Sequence, residues 1–152
     1  MQTYEVINDI LVNLFNEILK REEEAIITEE FKDISNNDMH VIEAVGIGEG
    51  DNMSSVAKKL DITVGSLTTA MNSLVNKKYV IRERSEQDRR VVNVRLTEKG
   101  KRAFFHHQEY HHKMTEAVIQ SLKEEEIPVL VKTLKGLSEF FRNYEKEESG
   151  QV

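Results

Sequence analysis

His107 and His111 stand four residues apart, the spacing at which two imidazoles on one helix can grip a single metal ion. His40 offers a third ligand, and Glu22, Glu23 or Glu24 a fourth. There is no cysteine, so thiolate sites and disulfides are excluded. The same pair raises the question of a zinc hydrolase, which wants His-Glu-x-x-His with the glutamate as general base. Here the string is His107-Gln108-Glu109-Tyr110-His111, with glutamine in the place of the base. No serine or carboxylate pair stands out for nucleophilic or acid–base work either, and no enzyme is expected. The simpler reading of the histidines is hydrogen bonding inside a partly polar interface or pocket, with no metal. A metal site at His40, His107 and His111 is the alternative.

A second chemistry lies upstream. Between residues 53 and 102, twelve lysines and arginines face five acidic residues, a surplus of +7 within a chain of net charge −6. The remainder therefore carries −13. A compact basic block in an acidic protein points to a polyanionic partner. Within the block, Ser66, Thr68, Thr69, Asn72 and Ser73 form the polar face of a short helix. Such short side chains lose little entropy when ordered against base edges and phosphates. Lys77, Arg84, Arg89 and Arg90 flank that face. An arginine projected from a narrow hairpin suits the minor groove of duplex DNA, and Asp88 can hold one arginine while another projects.

The elements that must position these residues follow from periodicity. Residues 4 to about 27 read as one helix with a broad stripe of Val6, Ile7, Ile10, Leu11, Leu14, Phe15, Ile18 and Leu19. Either the core or a second subunit covers it. A helix from Ser35 or Asn36 to Val45 follows, with Met39, Ile42 and Val45 inward. Gly46-Ile47-Gly48-Glu49-Gly50 terminates it; a phosphate loop would need a preceding strand that is not there. The DNA module then has helices at 54–60 and 64–76, joined by Asp61-Ile62-Thr63, and strands at 79–84 and 91–96 around the tip 85–90. From Thr97 a long helix runs to about Leu122, with Gly100 in its first turn and Phe104, His107, His111, Met114 and Val118 along one face. The last helix carries Ile127, Leu130, Leu134, Leu137, Phe141 and Tyr144 at alternating spacings of three and four, a coiled-coil-like seam.

The fold class expected is mainly α with a small β wing: a winged helix-turn-helix at 35–100, an N-terminal dimerisation helix at 1–34 and C-terminal dimerisation helices at 101–152. The N-terminus has no signal-peptide pattern and no apolar run reaches the roughly 20 residues of a membrane span, so a cytoplasmic location without membrane contact is expected.

The string VAKKLDITVGSLTTAMNSLVNKKYVIRERSEQDRRVVNVRLTEKG resembles the winged-helix core of the MarR family of bacterial transcription regulators. Asp88-Arg89-Arg90 followed by Leu96-Thr97 and Gly100 carries much of the likeness. Lys78 departs from it, standing where the family usually has glycine. More narrowly, FKDISNNDMHVIEAVG and RSEQDRRVV resemble the branch that represses fatty-acid synthesis genes in Gram-positive cocci. The resemblance implies a homodimer on a near-palindrome of double-stranded DNA, recognition helices in the major groove and wings in the minor. It also implies, as corepressor, acyl carrier protein bearing a long acyl chain, received in an apolar tunnel. Phe15, Ile18, Met39, His40, Phe104, His107, His111 and Met114 are the candidate lining. Zinc-sensing members use positions comparable to the histidines, which makes zinc the alternative effector.

Overall fold

The computed structural model describes residues 2–26, 28 and 30–149 of the chain. Its order is α1 (Gln2–Ile26), α2 (Asn36–Val45), β1 (Asp51–Asn52), α3 (Met53–Leu60), α4 (Val64–Asn76), β2 (Val80–Arg84), β3 (Val92–Leu96), α5 (Glu98–Gln120), a single 3-10 turn (Glu124–Glu126) and α6 (Ile127–Ser149). This is the mainly helical winged helix-turn-helix expected. The first helix was expected to reach Ile27, which lies outside the described residues. The chain divides into two compact units, Met1–His111 and His112–Val152.

Local chemistry starts and stops the helices where the sequence calls for it. Ser35 caps α2 in a reciprocal box with Asp38, two orphan amides satisfied at 3.1 Å each. Gly46, at φ 74°, ends it. Asn52 caps α3 through Ser55 N at 2.8 Å, and Thr63 caps α4 through Ser66 N at 3.1 Å. The turn between α3 and α4 is closed by Asp61 in left-handed geometry, which aspartate tolerates better than most residues.

The sheet is antiparallel in the order β1-β3-β2, with Val80 opposite Leu96 and Arg84 opposite Val92. The sequence reading missed β1. Its two residues are polar and too few to show a period, yet Asp51 and Asn52 pair with Val94 and Asn93. Gly50 permits this: a Cβ there would collide with the Val94 carbonyl.

The core is Met39, Val41, Ile42 and Val45 from α2, Val56 and Ala57 from α3, Leu67, Met71 and Leu74 from α4, closed by Val80, Val94, Leu96 and Ala103. Tyr79 sits at its edge, fully buried. Its hydroxyl donates to Asp33 Oδ1 at 2.6 Å, its ring lies under Lys99 Nζ at 4.3 Å, and its amide donates to Leu74 O. Burial and the Asp33 carboxylate together push the Tyr79 hydroxyl well above its ordinary pKa. The Tyr79 bond, aided by Lys99 and Lys77, holds Asp33 below the usual carboxylate range. The Tyr79 carbonyl accepts from Thr97 N at 3.0 Å and Thr97 Oγ1 at 3.1 Å. Gly100 packs on that same carbonyl, leaving no room for a Cβ. So α5 begins welded to the base of the wing, which explains a glycine in its first turn.

The stripe of α1 is not core. Val6, Ile7, Ile10, Leu14, Phe15 and Leu19 are all exposed, and only Ile18 is half-buried. On α6, Leu134, Phe141 and Tyr144 are exposed, while Ile127, Leu130 and Leu137 are half-buried.

Candidate nucleic-acid interface

Three elements border one open groove of about 760 Å³. Its walls are Asn52 and Ser54 at the start of α3, Val64 and Thr68 on α4, and Arg82, Arg84, Arg90 and Val92 on the wing. Three guanidiniums therefore face one cleft beside the polar face of α4. That arrangement attracts phosphate by charge and by the planar donor fork of arginine.

On α4, Leu67, Met71 and Leu74 point into the core and turn the opposite face outward. Ser66, Thr69 and Asn72 are exposed there, and Thr68 and Ser73 are half-buried. Thr68 Oγ1 donates back to Val64 O at 2.8 Å, and Ser66 Oγ accepts from Thr63 Oγ1 at 3.0 Å. Arg82 Nη1 donates to Asn72 Oδ1 at 2.6 Å. That bond fixes the carboxamide and leaves its NH₂ as the outward donor. Arg82 was not among the expected contacts. The signal was available: Val80, Arg82 and Arg84 alternate with Ile81 and Glu83, so both arginines share the strand face that starts in the core.

The wing tip is built, not slack. Ser85 N donates to Val91 O at 2.8 Å and Val91 N to Asp88 O at 2.9 Å. Asp88 Oδ1 accepts from Arg90 N at 3.0 Å and Arg90 Nε at 3.2 Å. Arg84 Nη1 donates to Arg89 O at 3.2 Å. As expected, Asp88 holds one arginine, Arg90. Among the described residues, the Arg89 guanidinium has no hydrogen-bond or ion-pair partner. Lys77 differs from the rest of the expected set. Its Nζ lies 3.5 Å from Asp38 Oδ2 and its side chain is 31% exposed, so an internal carboxylate already engages it.

The residues expected to line an apolar tunnel have unlike surroundings. Met39 is sealed in the core at 1% exposure and Phe104 packs against that core, whereas Phe15 lies on the exposed α1 stripe. Ile18 and Met114 are half-buried and His40 is exposed. His107 and His111 belong to a separate polar cluster. His107 Nε2 lies 2.9 Å from Glu43 Oε1, 3.3 Å from Glu22 Oε1 and 2.9 Å from His111 Nε2. Burial pushes the His107 imidazole below its ordinary pKa, with Glu43 and Glu22 opposing and His111 and His40 adding to the fall. Of the ligands the sequence offered, the structure brings Glu22 to the histidine pair and leaves His40 out of the group. His40 is turned out because Met39 and Val41, its neighbours on α2, face the core.

Residues 24–106 match the family described as transcriptional regulator SarA/Rot. The match spans the whole winged module and more than half of the chain. This chain belongs to the SarA/Rot group of MarR-type winged-helix transcriptional regulators. It is 41% identical to Streptococcus pneumoniae FabT in a crystal structure with DNA, over 93% of this chain and 99% of that one, with a TM-score of 0.83. Staphylococcus aureus MepR, also solved with DNA, shares the fold at a TM-score of 0.68, with 22% identity over 86% of this chain and 96% of that one. The Bacillus subtilis regulator PchR is 25% identical over 90% of this chain and 88% of its own length. These relatives are regulators or DNA complexes, not enzymes. No described helix is long and apolar enough to cross a membrane.

Proposed function

We propose that this regulator binds duplex DNA as a homodimer and represses fatty-acid synthesis genes, with affinity raised by acyl carrier protein bearing a long acyl chain. The observation that carries the DNA reading is the groove in which Arg82, Arg84 and Arg90 stand beside the polar face of α4. Here α4 enters the major groove, with Asn72 presenting an amide donor pair that Arg82 steadies, and Arg89 and Arg90 reach the adjacent minor groove. The exposed stripes of α1 and α6 supply the surface that a second copy covers. The fatty-acid and acyl-carrier parts rest on the sequence likeness to that branch and on the similarity to FabT over nearly the full chain. Fluorescence anisotropy with a fatty-acid-gene promoter, at fixed salt, tests the set. Tighter binding on adding long-chain acyl carrier protein is expected, and no response to it removes the effector. Arg90→Ala should weaken binding by about 1–3 kcal/mol. Unchanged affinity takes the wing out of the interface.

A further inference from the structure

We propose that Val64, Thr68 and Asn72 form a reading row on α4 that selects thymine in the major groove. The two methyl-bearing side chains take the 5-methyl group, and the amide takes O4. The inference rests on the DNA reading above and adds the base edge that α4 fits. The three residues stand four apart, so they lie in one row along the helix. Val64 is the first residue of α4, the end at which a recognition helix approaches base edges. Val64 and Thr68 line the groove together with Arg82, Arg84 and Arg90. Val64 is 45% exposed there, and an isopropyl group among guanidiniums has nothing to offer a phosphate.

The hydrogen bonds of the row decide what it presents. Thr68 Oγ1 donates its one proton to Val64 O at 2.8 Å, which turns the hydroxyl back along the helix and leaves Cγ2 as the free branch. Val64 and Thr68 thus offer methyl groups one turn apart on one side of α4. Asn72 Oδ1 accepts from Arg82 Nη1 at 2.6 Å. An arginine has no acceptor, so the carboxamide oxygen faces it and the NH₂ stays free. The bidentate pairing of asparagine with adenine uses both ends of the amide, and Arg82 already holds one. Two donors remain. They suit O4 of thymine or O6 and N7 of guanine, and they oppose the amino groups of adenine and cytosine. Of the four bases, thymine alone joins such an acceptor to a methyl group. Arg82 is therefore a positioning residue, which fixes the end of Asn72 that meets the base.

Full-length protein first selects duplexes from a random pool at fixed salt. The selected duplex is then resynthesised one thymine at a time. Deoxyuridine removes the 5-methyl group and keeps O4; 5-methylcytosine opposite guanine keeps the methyl group and puts an amino group in place of O4. Fluorescence anisotropy should show affinity falling roughly fourfold for each methyl group that α4 covers, the transfer value of one buried carbon. At those positions 5-methylcytosine should weaken binding by roughly tenfold. The double variant Val64→Ala, Thr68→Ser trims the methyl groups and keeps the hydroxyl bond, and circular dichroism checks its fold. It should bind the thymine and deoxyuridine duplexes alike, whereas Arg89→Ala should keep the gap between them. A parent protein indifferent to deoxyuridine, or to 5-methylcytosine, overturns the proposal. So does a deoxyuridine penalty that survives in the double variant, because it then comes from the shape of the DNA. In each of those cases the selected duplex is still bound and the DNA reading stands; a pool from which nothing is enriched removes both.

Discussion

Helix α4 and helix α1 carry the same apolar spacing and meet opposite fates. Leu67, Met71 and Leu74 are fully buried, whereas Ile7, Leu11 and Leu14 are 53%, 36% and 49% exposed. The difference is in the neighbours. α2, α3 and β2 surround α4 within one compact unit, while no described residue of that same unit closes over the α1 stripe. α6 repeats the open case with Leu134 at 55% and Phe141 at 52% exposure. A helical period states that a face is to be dried; it does not state which molecule dries it. One set of leucines therefore stabilises the monomer, and the other is left for the second copy proposed above.

The contrast is sharpest at Met71. Met71→Ala should cost about 2–5 kcal/mol in urea unfolding, because the cavity lies inside a closed cluster. A loss under 1 kcal/mol would show that the α4 core is looser than it looks. On the open side, Leu134→Asp should leave the circular dichroism spectrum intact and weaken self-association at least tenfold in sedimentation. If it unfolds the chain instead, α6 belongs with the core and the contrast fails. Tyr79→Phe probes the border of the closed region and should cost about 1–2 kcal/mol at neutral pH, since Asp33 is partly exposed and its charge partly screened. The raised pKa of Tyr79 also fixes a direction with pH. Folding favours the neutral hydroxyl, so its contribution is full below the unfolded value near ~10 and is lost as pH climbs beyond it. Asp33, held low, contributes above its unfolded value near ~3.9 and loses that as pH falls through its folded one. Thermal melts of the parent should therefore weaken in alkali, and those of Tyr79→Phe less. The smallest effect is at Lys78, whose φ is 68°. Lys78→Gly should gain roughly 0.5–1 kcal/mol by removing a Cβ from left-handed geometry. A net loss would mean that the lysine stem covers apolar surface.

The helices, the two longer strands and the arginine tip were readable because period, caps and turn residues agree at each of them. What escaped notice depends on contacts distant in sequence. β1 is created by β3 and by the space left at Gly50, and two residues carry no pattern of their own. Arg82 joins the groove through a partner ten residues away, Asn72, although strand alternation hinted at it. Lys77, expected to face DNA, is engaged by Asp38, a pairing that no local rule announces. Glu43 was overlooked as a neighbour of His107, since spacing along one helix says nothing of what a second helix brings.

The wing offers its two arginines in different states of readiness. Arg90 is clasped twice by Asp88, and Arg89 has no such clasp. An arginine that must be immobilised forfeits up to about 2 kcal/mol of rotamer freedom, and Arg90 has already surrendered part of that. On the proposed DNA reading, the unclasped Arg89 would bear chiefly on how fast a duplex is captured, and its tethered companion on how long the duplex stays.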